Sequence, residues 1–289
     1  MKSGWSPEAD DRGVSAPTGH FPPALHVRAS GARGLVAAVH PAAMPPSFVY
    51  FDLDDTLLDH SAAERNALAD VHAGHAEHLG HIPLGELHAT YRRHNGPLWR
   101  DYGRGQITKE ELKRLRFANT LGALGVTALD PDAASGAYLE RYAAHWDWAA
   151  GAREAFRRVA DALPVGILTN GFREQQRAKL ARLPEIADRC EAGAVLIAEE
   201  IGAWKPTPEA FAMATERAGV APEAVLYVGD SFYSDVVGGT AAGWRVVWWN
   251  GDPAHEEHGA LAASDWGDVL RLAGLAPEAV SGQASGAAA

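Results

Sequence analysis

The stretch Val49-Tyr50-Phe51-Asp52-Leu53-Asp54-Asp55-Thr56-Leu57-Leu58 constrains this chain more than any other. A short buried strand, Ser47 to Phe51, runs straight into three carboxylates. Like charges packed together repel and push one another's pKa values apart unless a cation sits among them. A divalent cation relieves that conflict. An all-oxygen donor set suits magnesium, which takes one or two carboxylates, several waters and a substrate phosphate. The stretch therefore reads as a magnesium site in which one carboxylate doubles as a nucleophile. A plainer reading stands against it: a strand ending in a solvated acidic turn, with Asp55 or Asp59 capping the next helix.

The rest of the chain bears on that choice. Its 289 residues allow one large domain or two smaller ones, and 47% hydrophobic content supplies a sizeable core. A formal net charge of −11 argues against a nucleic-acid polymer as partner. The single cysteine, Cys190, excludes an intramolecular disulfide and points to a reducing compartment, hence the cytoplasm. Cys190 itself reads as an inert, partly buried thiol. No apolar run approaches the roughly 20 residues that a membrane helix needs.

Residues 1–43 are rich in Gly, Ala, Pro and Ser without a sustained period, and read as a disordered leader. Glu8, Asp10 and Asp11, with no apolar h-region, argue against a signal peptide. Met44 lies just before the first strand and is a candidate start of translation. At the other end, residues 276–289 read as a low-complexity, disordered tail.

From Ser61 to Trp148 the pattern is helical, with no strand signal. Leu68, Val71, His75 and Leu79 recur at helical spacing, and a second run covers Leu84 to Tyr102. A third begins at Thr108, with Glu110 and Glu111 in its first turn, and a fourth follows Pro131. His72, His75, His78 and His81 step by three, so they fan across about half a helix circumference. None of these pairs has the i, i+4 spacing of the helical zinc motif, and they read as a solvated face. Trp99, Trp146 and Trp148 are either insert core or a wall facing substrate.

After Gly151 helices and apolar strands alternate. The strands are Pro164–Leu168, Gly193–Ala198, Ala224–Val228 and Trp244–Trp249, and the helices include Ala152–Leu163 and Pro208–Ala218. A short helix follows around Asp265 to Leu272. Trp244, Trp248 and Trp249 read as sheet packing. Continuous apolar strands alternating with helices indicate a parallel sheet covered on both faces. Asp52 and Asp54, Thr169 and Asn170, and Asp230 then sit at the C-terminal ends of three strands. Those ends converge on one crevice, where ligands bind in open parallel sheets. Lys205 lies in a loop that could reach it.

In this order the residues resemble the haloacid dehalogenase-like hydrolases. Asp52-Leu53-Asp54-Asp55-Thr56 is similar to that family's D-x-D-x-T motif after a strand. Thr169, Lys205 followed by Pro206, and Gly229-Asp230-Ser231 with Asp235 are similar to its other three. The resemblance covers about Ser47 to Asn250. Within the family, the stretches beginning at Thr169-Asn170-Gly171-Phe172 and Gly238-Gly239-Thr240 look like the pyrimidine 5'-nucleotidase and N-acylneuraminate-9-phosphatase branch.

The resemblance implies an α/β fold: a Rossmann-like parallel-sheet core at 44–60 and 149–275, with a helical cap inserted at 61–148. It implies that Asp52 attacks phosphorus and that Asp54 is the general acid and base, a role suited to a raised carboxyl. Thr169 and the Asn170 backbone N–H would hold phosphoryl oxygens, and Lys205 would neutralise their charge. Magnesium would be held by Asp52, Asp230 and the Asp54 backbone carbonyl. Asp235 would brace Lys205 or bind through water.

The implied activity is magnesium-dependent hydrolysis of a small phosphomonoester, such as a nucleoside monophosphate or sugar phosphate, by a monomer or homodimer. Three alternatives share the fold. A phosphomutase of the β-phosphoglucomutase type has the same first motif. A 2-haloacid dehalogenase lacks an acid two residues after its nucleophile, where this chain has Asp54. A catalytically silent binding protein would be marked by loss of Asp52, Asp54 or Lys205, and all three are present.

Overall fold

The computed structural model describes residues 45–251 and 259–275. The expected leader, Met44 and the tail beyond residue 275 lie outside the described residues. Strand β1 (Phe48–Phe51) is followed by five helices before the next strand: α1 (His60–Gly74), α2 (Ala76–Leu79), α3 (Leu84–Gly103), α4 (Lys109–Ala123) and α5 (Pro131–Ala144). The chain then runs through α6 (Ala152–Ala162), β2 (Val165–Thr169), α7 (Arg173–Arg182), α8 (Pro184–Arg189) and β3 (Val195–Ile197). It continues through α9 (Ala198–Ile201), α10 (Pro208–Ala218), β4 (Val225–Gly229) and α11 (Val237–Ala241), and closes with β5 (Arg245–Trp249), β6 (Leu261–Ala263) and α12 (Trp266–Leu272).

All strands are parallel, in the order β3-β2-β1-β4-β5-β6. That order is doubly wound, and its direction reverses between β1 and β4. Ligands bind outside the carboxyl ends of the strands at such a reversal. The α/β architecture expected from the sequence is therefore present.

Strand side chains alternate between the two faces. On β1, Phe48 and Tyr50 join Phe211 of α10 and Trp244, while Val49 and Phe51 join Phe156 and Val159 of α6 and Val269 of α12. Both faces are covered, which explains why the strands are apolar runs without polar alternation. The tryptophans after β4 pack against the sheet layers as expected: Trp244 stacks on Tyr50 at 5.4 Å and Trp249 on Trp266 at 4.1 Å.

The expected strands are present with ends moved by a residue or two. Thr169 is the last residue of β2 rather than the first beyond it. The apolar run at 193–198 makes only three strand residues, because Ala198 already opens α9. Three-residue β6 escaped sequence reading, being too short to carry a period. The starts of α1 and α4 carry side-chain caps. Asp59 accepts from the Ala62 N–H at α1, and Thr108 and Glu111 close a reciprocal capping box at α4.

The insert is not a separate apolar body. Leu68, Val71, Tyr91, Phe117 and Tyr138 belong to the same buried cluster as β1 and α6. Trp146 and Trp148 sit in or against this cluster, whereas half-buried Trp99 faces the crevice. The clustered histidines make separate local contacts, such as His72 Nε2 with the Ile82 carbonyl at 2.9 Å.

One close approach fixes the centre of the sheet. A Cβ on Gly166 of β2 would lie 2.4 Å from the Tyr50 ring and 2.7 Å from the Ala194 carbonyl oxygen. Gly166→Ala should therefore cost about 1–3 kcal/mol of stability, read as a lower urea midpoint at unchanged slope.

Candidate active site

The carboxyl ends of β1 and β4 bring the acids together. Asp52 follows β1 directly, and Asp230 follows Gly229 at the end of β4. Past Ser231 the chain makes a single π-helical turn, Phe232–Val236, a form that recurs at functional sites. This wide turn swings Asp235 back under the strand end. The approach is so close that a Cβ on Gly229 would sit 2.4 Å from Asp235 Oδ2. Only glycine fits there.

One oxygen from each of Asp52, Asp230 and Asp235 lies within 4.8 Å of the others. Among the described residues this is the one such grouping of three His, Cys, Asp or Glu side chains. Lys205, 5% exposed, reaches into it. Its Nζ donates to Asp52 Oδ1 at 2.8 Å, Asp235 Oδ1 at 2.7 Å and Tyr227 Oη at 2.6 Å. Asp235 is fully engaged by the protein, because its Oδ2 also accepts from the Ser231 N–H at 3.0 Å. Asp52 is bonded through Oδ1 to Lys205 and Asp230 through Oδ1 to Thr56 at 3.5 Å, and among the described residues the second oxygen of each receives no hydrogen bond. They are the carboxylates that could hold a divalent cation, and their all-oxygen chemistry fits magnesium.

The electrostatics agree. Burial pushes the Asp52 carboxyl up to about 7, with Lys205 pulling it down and Asp235 and Asp54 pushing it further up. Burial, then Asp52, Asp235 and Asp55, push Asp230 up to about 8. Burial opposes the Lys205 charge, but Asp235 and Asp52 outweigh it and raise the ammonium above its usual value.

Asp54 departs from the expected raised carboxyl. It faces Lys179 of α7, whose Nζ lies 2.7 and 2.8 Å from its two oxygens, and Gln176 Nε2 lies 3.1 Å away. Burial alone would raise the carboxyl. Lys179, His60 and the hydrogen bonds from Lys179 and Gln176 outweigh it and hold Asp54 below its ordinary value. Its side chain lies outside the cluster of three acids. Sequence reasoning missed Lys179, since a lysine on a helix ordinarily reads as solvated, yet this one is only 2% exposed.

The other expected residues converge here too. Thr169 Oγ1 accepts from Gln176 Nε2 at 2.8 Å. The Asn170 side chain clasps the backbone of Lys205: its Nδ2 donates to the carbonyl at 3.0 Å and its Oδ1 accepts from the N–H at 2.9 Å. That clamp was not foreseen. The plainer reading of the acidic turn holds for its outer members, since Asp55 accepts from Ser61 N–H and Oγ while Asp59 caps α1. Cys190 is half-buried, and burial pushes its thiol up to about 12, so it stays protonated.

A cavity of about 520 Å³ opens over Asp52, Asp54, Thr169 and Lys205. That size suits a small-molecule ligand. Its far wall comes from the insert, with Trp99, Tyr138 and Tyr142.

Comparison with known proteins is consistent with this geometry. Residues 48–243 match the family model described as haloacid dehalogenase-like hydrolase. This chain belongs to the haloacid dehalogenase-like hydrolases. It is 33% identical over 179 residues to the pyrimidine 5'-nucleotidase YjjG of Escherichia coli (strain K12), covering 61% of this chain and 75% of the relative. It is 30% identical over 208 residues to a glyceraldehyde 3-phosphate phosphatase of Pyrococcus furiosus, covering 69% and 79%. The solved structure of the HAD-hydrolase YfnB from Bacillus subtilis, bound to magnesium, is similar with a TM-score of 0.65 and 25% identity. That match covers 80% of this hydrolase and all of the other chain. No helix among the described residues is long and apolar enough to cross a membrane.

The crowding of acids yields a stability prediction. Folding raises the Asp230 carboxyl, so it favours the protonated form, and stability is lost as pH rises from the ordinary carboxyl value towards about 8. In metal-free buffer, Asp230→Asn should therefore raise Tm, by about 2–4 °C for each kcal/mol of repulsion removed. The gain should be small near pH 4 and grow towards pH 8. Magnesium should raise Tm of the parent protein but not of the variant, as read by calorimetry.

Proposed function

We propose that this hydrolase is a magnesium-dependent phosphatase that cleaves a small phosphomonoester, a nucleoside monophosphate or sugar phosphate, through an aspartyl-phosphate on Asp52. The observation that supports this most is the buried ammonium of Lys205, 2.8 Å from Asp52 Oδ1 on the cavity floor. A carboxylate so held is oriented with one oxygen engaged and the other open to the cavity. A phosphoryl group arriving there meets a fixed positive charge. The names of the relatives, a nucleotidase and a sugar-phosphate phosphatase, favour the same class of substrate.

In this reading Asp52 attacks phosphorus, and the bond to the leaving alcohol breaks. Water then attacks the aspartyl-phosphate, releasing phosphate and restoring Asp52, so one hard displacement becomes two easier ones. The Thr169 hydroxyl and the Asn170 N–H hold phosphoryl oxygens, while the Asn170 side chain keeps Lys205 in place. Magnesium, held by the Asp52 and Asp230 carboxylates and the Asp54 backbone carbonyl, would supply positive charge to the phosphoryl oxygens. Asp235 braces Lys205 from behind.

Asp54 moves the protons, giving one to the leaving oxygen and taking one from the attacking water. Ionised beside Lys179 it is in the proton-accepting form, and the Asp54–Lys179 pair together holds the proton needed for the leaving group. The helical insert, residues 61–148, serves as the cap that excludes other water from the cavity. We take the enzyme to be cytoplasmic and to act on small molecules as a monomer or homodimer.

The test is phosphate release from nucleoside monophosphates, sugar phosphates and p-nitrophenyl phosphate, with magnesium or with a chelator. Release should require magnesium and fall to background in Asp52→Asn. Wild-type-like turnover by that variant would remove Asp52 as nucleophile. Asp54→Asn should slow alkyl phosphates by about 10²–10⁴-fold and p-nitrophenyl phosphate, whose leaving group needs no proton, far less. Equal losses on both would remove the acid role.

A further inference from the structure

One buried amide joins the acid–base residue to the loop that would hold the phosphoryl group. Gln176 of α7 lines the cavity and is 1% exposed. Its Nε2 donates to Asp54 Oδ2 at 3.1 Å, to Thr169 Oγ1 at 2.8 Å and to the Asn170 carbonyl at 3.0 Å. The ionised Asp54 carboxylate and the Asn170 carbonyl can only accept. The atom facing them is therefore the amide nitrogen and not the amide oxygen. The loop is shaped around this side chain. Gly171 has a φ of 142°, and a Cβ there would lie 2.9 Å from the amide carbon of Gln176.

An amide nitrogen carries two hydrogens, so the three acceptors compete for two donors. The Thr169 hydroxyl decides which of them goes short. Here it donates to the Asn170 carbonyl at 3.2 Å. The two amide hydrogens then suffice for Thr169 Oγ1 and Asp54 Oδ2. A phosphoryl oxygen beside Thr169 draws the hydroxyl away, because a charged acceptor makes the stronger bond. The Asn170 carbonyl now needs a donor, and Thr169 Oγ1 keeps its own. All three acceptors lie within 3.1 Å of one nitrogen, so a small turn of the amide makes the exchange. Asp54 Oδ2 is the acceptor that can bear release, since Lys179 Nζ stays 2.7 and 2.8 Å from the two Asp54 oxygens.

We propose that Gln176 is a positioning residue that shifts a hydrogen bond from Asp54 to the Asn170 carbonyl when a phosphoryl group binds, freeing Asp54 Oδ2 for proton transfer only when that site is filled. Gln176 touches no reacting atom and acts through Thr169 and Asp54. The proposal rests on the phosphatase reading and adds to it a link between phosphoryl binding and the acid–base group.

The experiment is a double-mutant cycle on p-nitrophenyl phosphate with magnesium. Gln176→Met keeps the length of the side chain and removes both hydrogens. It should lower kcat/KM by about 10- to 100-fold, the worth of a hydrogen bond to a charged group. Gln176→Glu, matched in shape, should lose at least as much, whereas a role in packing alone would spare both variants. Thr169→Val should cost a similar factor. The double variant Gln176→Met, Thr169→Val should lose little beyond the larger single loss, because the amide acts through the hydroxyl. Additive losses, or near-parental activity in Gln176→Met, would overturn the proposal and leave the phosphatase intact.

Should the Gln176 variants fail to fold, the parent decides by NMR. The chain has four glutamines, and among the described residues Gln176 is the buried one. In protein labelled with 15N-glutamine, its side-chain amide should be the slowest to exchange with solvent. Saturating inorganic phosphate should move that pair of resonances beyond their position with magnesium alone. Resonances that stay in place would overturn the link, whatever the activity. No magnesium-dependent release from any ester by the parent would overturn the phosphatase reading itself, and the proposal with it.

Discussion

A lysine ammonium buried between two carboxylates holds the carboxyl edge of this sheet together. Lys205 bonds Asp52 from β1, Asp235 from the π-helical turn and Tyr227 from β4, so one charge ties three segments. Removing one partner of such a buried pair leaves an uncompensated charge and typically costs about 3–5 kcal/mol. The geometry around it follows. Asn170 clasps the Lys205 backbone, Gly229 gives way to Asp235, and Ser231 donates to Asp235 from the turn. The one lysine still does not balance the three acids. Two negative charges remain, matching the charge of a divalent cation. The raised carboxyls of Asp52 and Asp230 express the same imbalance, since protonation is the other way to discharge it.

The second lysine solves a different problem. Lys179 takes Asp54 out of this crowd by pairing with both of its oxygens. Adjacent carboxylates on one short segment thus acquire opposite tendencies, Asp52 raised and Asp54 lowered. Pairs of titratable groups pushed apart in this way are a mark of acid–base sites. Lys179 is in turn buried against aromatic rings of the insert, lying over Tyr142 at 5.2 Å and Trp146 at 5.9 Å. Rings of the insert thus line the site of the lysine that lowers Asp54.

Seating is itself specified by contacts across the crevice. Lys109, at the start of α4, reaches Glu174 at 2.8 Å and Glu199 at 2.7 Å on the sheet side. Tyr102 donates to Glu199 at 2.8 Å, and Trp99 packs on Phe172 with centroids 4.6 Å apart. Lys109 also lies over the Phe172 ring. These contacts are partly exposed, so each contributes modestly. Together they join the insert to the sheet side of the crevice.

What the sequence revealed and what it hid have one physical explanation. Asp52, Asp230 and Thr169 were legible because polar side chains at the ends of apolar strands break a pattern, and parallel topology brings such ends together. Lys205 was legible through its loop position and motif. Lys179, and the cavity-lining places of Arg116 and Asn95, were not. Each sits on a helix, where charged and polar residues are the ordinary surface filling, so nothing in the local pattern separates a buried one from a solvated one. Leu180 beside Lys179, and Phe117 beside Arg116, are buried core. Adjacent buried positions on a helix span about 100° of its circumference, wider than a simple apolar stripe. That extra width arises because these helices touch the apolar core on one side and the cavity on the next. A polar residue bordering the apolar stripe is thus where a helix facing a cavity places its chemistry, and only the tertiary fold says which border faces the cavity.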